Sequence, residues 1–140
     1  HLKRAHQLDV IVIGPRPPAP AIQSACEAFG FYWFLGDDDK KVFEELKAFN
    51  PELIVSILWP RRVKDEVLGL CRDCINIHPS LLPRHRGSLT QFWAVFEEDQ
   101  ESGVTCHRMV HDFDAGRILH QVAVAVAHDE TALSLNRKLA

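Results

Sequence analysis

Asn76 and His78 stand two positions apart in Cys74-Ile75-Asn76-Ile77-His78-Pro79-Ser80-Leu81-Leu82-Pro83, and Asp114 follows in His111-Asp112-Phe113-Asp114-Ala115-Gly116. An amide can polarise a carbonyl, an imidazole can carry a proton, and a carboxylate can orient the carrier, so this set of groups suits acyl transfer. Each ends an apolar, strand-like run, where polar side chains tend to line a crevice.

Those groups need elements to hold them. On a strand, residues two apart share a face, so Asn76 and His78 emerge together while Ile75 and Ile77 turn the other way into core. An Asn-x-His pair could also do no more than satisfy loop backbone. Here Pro79 fixes the strand exit, and Leu81, Leu82 and Pro83 make a stiff apolar loop that must pack on or cover something. Arg84, His85 and Arg86, ahead of Gly87, give that loop a cationic rim.

Along the rest of the chain, His1 to His6 reads as the last turn of a helix, followed by a strand over Asp9 to Ile13. Pro and Gly dominate Gly14 to Pro20, which is read as a loop with a helix start near Pro20. Ala21 to Phe29 has helical spacing and stops at Gly30, before a short aromatic strand over Phe31 to Phe34. Asp37, Asp38 and Asp39 suit the N-terminal end of a helix over Lys40 to Phe49; the alternative, metal ligation, is disfavoured because consecutive side chains diverge.

Asn50-Pro51 closes that helix. Leu53 to Trp59 is a nearly unbroken apolar run, which predicts a central strand covered on both faces. A short helix over Lys64 to Leu70, a buried strand over Cys74 to Ile77 and an amphipathic helix over Leu89 to Glu98 follow. Val104 to Val110 and Ile118 to Val126 alternate as later strands, one a candidate for antiparallel pairing, and Thr131 to Ala140 begins a helix with Asp129 or Thr131 near its cap. This alternation predicts an α/β fold: three layers, α/β/α, around a mostly parallel, Rossmann-like sheet.

Length and composition agree. The 140 residues, 46% apolar and 25% charged, fit one ordinary globular domain. No apolar run is long enough to span a membrane and no secretory leader opens the sequence, so a cytoplasmic location is expected. A net charge of −3 argues against a general nucleic-acid binder. Between residues 61 and 86, however, Arg61, Arg62, Lys64, Arg72, Arg84 and Arg86 outnumber Asp65, Glu66 and Asp73, an excess that a small anionic ligand could use. Cys71 and Cys74 form a lone Cys-x-x-Cys pair at a strand entrance, with no second pair at zinc spacing, so reduced structural thiols and no metal are expected.

The run from Asn76 to Pro83 with Arg86-Gly87, then Gly103-Val104-Thr105 and Asp114-Ala115-Gly116 with Ile118, resembles the signature of the folate-dependent formyltransferases. These include the glycinamide ribonucleotide, methionyl-tRNA and amino-sugar nucleotide formyltransferases and the formyltetrahydrofolate hydrolases. The likeness runs from Val10 to about Leu139 and is specific for the family, not for the member. It implies that residues 1–140 form the catalytic domain in the Rossmann-like formyltransferase fold, lacking the first strand and its Gly-containing turn. The chain then reads as a fragment truncated at both ends, or as a degenerate member.

The resemblance further implies that Asn76, His78 and Asp114 are catalytic. An amine attacking the formyl carbon of 10-formyltetrahydrofolate, the co-substrate, would create an oxyanion to which Asn76 donates; His78 would donate too or shuttle a proton; Asp114 would hold the imidazole directly or through a water. Asp112 is the rival carboxylate. The same resemblance makes Trp59, Arg61, Arg62 and Val63, with His111 and Asp112, candidate folate contacts. The expected partner is a small-molecule amine, with nucleic acid only if the acceptor is a charged tRNA, and a homodimer is allowed.

Gln91-Phe92-Trp93-Ala94 most resembles the amino-sugar nucleotide branch, although those aromatics could be core packing. The alternatives are a formyltetrahydrofolate hydrolase, which uses water as acceptor, and a non-catalytic folate- or nucleotide-binding module. A nicotinamide-binding module is disfavoured because no Gly-x-Gly-x-x-Gly follows a strand.

Overall fold

A computed structural model describes residues 9–14, 20–59 and 61–139. The expected helical turn over His1 to His6, most of the Pro-rich loop after Gly14 and the terminal Ala140 lie outside the described residues. The chain divides into two compact units, residues 1–51 and residues 52–140.

In the first unit, β1 (Ile11–Gly14) pairs in parallel with β2 (Tyr32–Leu35), with Ile11 opposite Tyr32 and Gly14 opposite Leu35. Parallel partners need a crossover, supplied here by helix α1 (Pro20–Phe29). The helix begins at the expected proline, whose fixed φ suits a first turn and whose missing N–H is no loss there. It stops where Gly30 takes φ +65° and Phe31 N–H returns to the Cys26 carbonyl at 2.9 Å.

Helix α2 (Asp39–Phe49) then starts on the Asp38 carboxylate, which accepts from the N–H groups of Lys40 at 2.9 Å and Lys41 at 3.3 Å. That carboxylate is therefore committed to capping. Asn50 ends the helix in a left-handed conformation, φ 53°. Among the described residues of this unit, Cys26, Phe34 and Leu46 are buried.

The second unit is built on a four-stranded sheet in the order β3 (Leu53–Ile57), β4 (Asp73–His78), β5 (Glu101–Arg108), β6 (Ile118–Ala125). β3 and β4 run parallel, joined through the short helix α3 (Asp65–Leu68); β5 is antiparallel to β4 and β6 antiparallel to β5. The sheet is thus mixed: the chain pairs in parallel early, and both late strands, not one, add on antiparallel.

β3 differs from its expected place. It forms one edge of this sheet, and Leu53, Val55 and Ile57 are 50%, 47% and 63% exposed. An apolar, β-branched run records strand preference as well as burial, so the run by itself could not settle how many faces are covered.

Helix α4 (Thr90–Phe96) and helix α5 (Ala132–Leu139) supply Ala94 and Leu135, both fully buried, to a core that also holds Val67, Cys74 and Leu82. Thr131 Oγ1 accepts from Ser134 N–H at 3.1 Å and so caps α5. Phe92 stacks on Phe96 and Trp93 meets both edge-on, yet all three are more than 40% exposed, so this aromatic face is not core.

The loop after β4 is fastened by side-chain hydrogen bonds from β5 and β6. Thr105 Oγ1 donates to the Ser80 carbonyl at 2.6 Å and accepts from Leu82 N–H at 3.1 Å and from Gln121 Nε2 at 2.8 Å. Gln121 also reaches the Leu82 carbonyl at 2.9 Å. Leu81 lies against Gly103, where a Cβ would come 2.6 Å from its Cδ2 and 2.2 Å from the Val122 carbonyl oxygen. The stiff Leu81-Leu82-Pro83 segment is therefore pinned to β5 and β6, and its rim residues are held relative to the strands.

Candidate active site

β4 turns Asn76 and His78 to one face, as the period of a strand requires. Its antiparallel register sets His107 of β5 opposite Asn76 and Thr105 opposite His78. The turn between β5 and β6 brings Asp114 over this pair. Gly116 makes that turn possible: a Cβ there would stand 1.8 Å from the Arg108 carbonyl oxygen, so no side chain fits at that backbone approach. Asp114 itself takes φ +48°, a left-handed conformation that a short polar residue tolerates when its side chain is well bonded.

Asp114 is the hub. Its Oδ2 accepts from the Gly87 N–H at 2.8 Å and lies 3.5 Å from His78 Nδ1. Its Oδ1 accepts from Asn76 Nδ2 at 3.4 Å and lies 3.4 Å from His107 Nε2. Burial pushes the Asp114 carboxyl up, but the His107 hydrogen bond, the Gly87 N–H and the two nearby imidazoles outweigh it, so the net pKa is below the ordinary value. The group is an anion at neutral pH although its side chain is only 10% exposed.

A backbone carbonyl fixes one donor nitrogen on each imidazole. His78 Nε2 sits 3.0 Å from the His85 carbonyl oxygen, which can only accept, so Nε2 carries a hydrogen and Nδ1 is the atom turned to Asp114. His107 Nδ1 likewise donates to the Arg108 carbonyl at 2.8 Å, leaving Nε2 facing Asn76 Nδ2 at 3.2 Å and Asp114. Both rings are buried, with centroids 6.3 Å apart.

These residues form part of the wall of a cavity of about 640 Å³ within the second unit. Trp59, Arg61, Arg62, Val63, His111 and Asp112 line it too, so every residue expected to contact a ligand borders the same space as Asn76, His78 and Asp114. Arg61 lies over the Trp59 ring at 5.2 Å from its centroid. Arg62 Nη2 is 2.7 Å from His111 Nδ1, and Asp65 Oδ2 approaches the same nitrogen at 2.7 Å, tying the two rim loops together. Asp112 is exposed and lies on the rim, whereas Asp114 makes the contacts with the imidazoles.

Gln91 faces the cavity, but the adjoining Phe92 and Trp93 do not line it. Cys71 and Cys74 stand outside the site as free thiols, their sulfurs 3.5 Å apart. Burial, followed by the hydrogen bond and charge of Cys71, pushes the Cys74 thiol up to about 12, so it stays protonated.

Residues 20–140 match the family model described as formyl transferase. The chain belongs to the formyl transferase family. Its fold matches glycinamide ribonucleotide transformylase 1 from Symbiobacterium toebii, with a TM-score of 0.87 and 25% identity over 99% of this chain and 71% of that one. It also matches phosphoribosylglycinamide formyltransferase from Anaplasma phagocytophilum, with a TM-score of 0.84 and 27% identity over 99% of this chain and 71% of that one. A sugar N-formyltransferase from a Shewanella species shares the fold at a TM-score of 0.70 and 22% identity, over 92% of this chain and 62% of that one. The Rossmann-like α/β architecture expected from the sequence is therefore that of a formyl-transferring enzyme family.

Among the described residues no helix is long and apolar enough to cross a membrane. Sequence reasoning overlooked His107, the most buried ionisable group beside Asp114. Its only sequence signal is the two-residue spacing from Thr105 along an alternating strand, and the pairing that turns it toward Asn76 is non-local. The N–H of Gly87 and the carbonyl of His85 were hidden for another reason: they are backbone groups.

Proposed function

We propose that this domain transfers a formyl group from 10-formyltetrahydrofolate to a primary amine, with Asn76, His78 and Asp114 as its catalytic residues. The observation that carries this reading is the convergence of an amide, an imidazole of fixed tautomer and a buried carboxylate anion on one wall of a cavity large enough for a small-molecule pair. Folate supplies an activated one-carbon unit. The flat indole of Trp59, the apolar Val63 and the cationic Arg61 and Arg62 offer a surface suited to an acidic heteroaromatic ligand, and His111 and Asp112 complete the opposite rim.

The chain's own groups then divide the work. An N–H of Asn76, shared at rest between His107 and Asp114, turns to the formyl oxygen as negative charge develops there. His78, held through Nε2–H, keeps Nδ1 toward Asp114, and this pair takes the proton from the attacking amine and returns it to the departing nitrogen. Asp114 keeps the ring in place and stabilises the imidazolium while it lasts. The new bond joins amine nitrogen to formyl carbon, the bond from that carbon to the folate nitrogen breaks, and the proton passes the opposite way, from the amine nitrogen to the folate nitrogen.

The Shewanella relative is a sugar N-formyltransferase, and Gln91 at the cavity supports an amino-sugar nucleotide as the first acceptor class to test. Incubation with 10-formyltetrahydrofolate and a panel of amines, followed by absorbance, tests the proposal. Deformylation that requires an amine supports transfer. Release of formate at the same rate without any amine would instead make the protein a hydrolase.

A further inference from the structure

We infer that Asp99 is a positioning residue for His78, acting through the ring and backbone of His85. The inference rests on the reading of His78 as the proton carrier. His85 takes φ +50°, a left-handed conformation with steric cost for a non-glycine residue, which persists only when the surroundings over-determine it. Its carbonyl is the group that receives His78 Nε2–H at 3.0 Å, and Ser80 Oγ reaches the same oxygen at 3.3 Å while donating to the Arg84 carbonyl at 2.8 Å.

What holds His85 there is Asp99. Asp99 Oδ2 lies 2.6 Å from His85 Nε2, and the two side chains are only 4% and 9% exposed. Asp99 is itself anchored at the end of α4, where its N–H donates to the Ala94 carbonyl at 2.9 Å. Its other oxygen is in contact with the Arg84 guanidinium, which also approaches Glu97 Oε2 at 3.9 Å.

His85, Glu97 and Asp99 could be read as a metal cluster, since their ligand atoms lie within 4.8 Å of one another. The Arg84 guanidinium already supplies the positive charge between the carboxylates, so an ion pair with a hydrogen-bonded strut accounts for the geometry. The strut runs from the end of α4, through the acid and the imidazole, to the carbonyl that sets the tautomer of His78. Asp99 touches neither His78 nor any residue of the Asn76, His78, Asp114 set in these contacts.

The test uses the full chain with Asp99→Ala, Asp99→Asn, His85→Ala and His85→Gly, read by the ¹⁵N resonances of the His78 ring and by kcat and KM. Asp99→Ala and His85→Ala are expected to lose the single Nε2–H form of His78 and about tenfold in kcat, with KM little changed. Asparagine at 99 keeps an acceptor for the His85 ring, and glycine at 85 adopts the left-handed backbone without a ring, so each is expected to recover most of both losses.

Unchanged His78 resonances in the two alanine variants would overturn the inference, as would equal disruption by alanine and glycine at 85. If the alanine variants do not fold, Asp99→Ala combined with His85→Gly decides: a folded protein with the wild-type His78 signature supports the strut, because glycine at 85 needs neither ring nor acid, and anything else refutes it. The ring resonances do not depend on the reaction. Loss of formyl transfer as the function would leave them intact, and the two failures are distinguishable.

Discussion

At the scale of single residues, the carboxylate of Asp114 bears most of the account. Removing the donor amide, the imidazole or this acid, as Asn76→Ala, His78→Ala or Asp114→Ala, is expected to lower kcat by about a hundredfold or more in steady-state assays while circular dichroism stays that of the folded protein. Asp114 also carries a pH signature. Because its folded pKa lies below the ordinary 3.8, the stability it contributes is present above that value and is lost as pH falls below it through the depressed folded value. Asp114→Asn should therefore unfold more readily than wild type near neutral pH, with the gap closing under acid; a gap that widens under acid would contradict the assignment. The shared face of Asn76 and His78 and the turn at Asp114 were legible in the sequence because two-residue strand spacing and an Asp-Ala-Gly turn are local. His107 was not, since only the Asn76 to His107 register across β4 and β5 makes it a neighbour.

At the scale of elements, the site depends on backbone approaches that side chains would block. Gly116→Ala would place a methyl group against the Arg108 carbonyl, and the turn carrying Asp114 must move to admit it. A loss of about 1–3 kcal/mol in urea unfolding, together with a lower kcat, is expected; an unchanged midpoint would mean the turn has slack. Asp38→Ala serves as the contrast: loss of the α2 cap should cost about 1 kcal/mol without altering kinetics at the candidate site. Helix starts and stops at Pro20, Gly30, Asp38 and Asn50 could be read from the chain because caps are chemically local signals. The direction of β5 could not: a strand that alternates apolar and polar residues looks the same whether its neighbour is parallel or antiparallel. The same ambiguity explains β3, whose apolar residues indicated a strand but not its place at an edge.

At the scale of the whole molecule, an acidic chain presents a cavity bordered by Arg61, Arg62 and Arg86. Attraction between these cations and an acidic co-substrate is screened by salt, so KM for 10-formyltetrahydrofolate should rise between low and physiological ionic strength, and a flat or falling KM would count against this surface. The family was legible from the short motif around Asn76 and His78, and the match over residues 20–140 agrees with it. The acceptor was not legible, because the wall of the cavity is assembled from segments far apart in the chain, from Ser56 to Asn136. The most direct measurement follows 10-formyltetrahydrofolate by absorbance with wild type and His78→Ala side by side, with and without an amino-sugar nucleotide. Amine-dependent consumption by wild type that falls by about two powers of ten in the variant is the expected result. Equal consumption by both proteins would contradict the role given to His78 and, with it, the reading of this site.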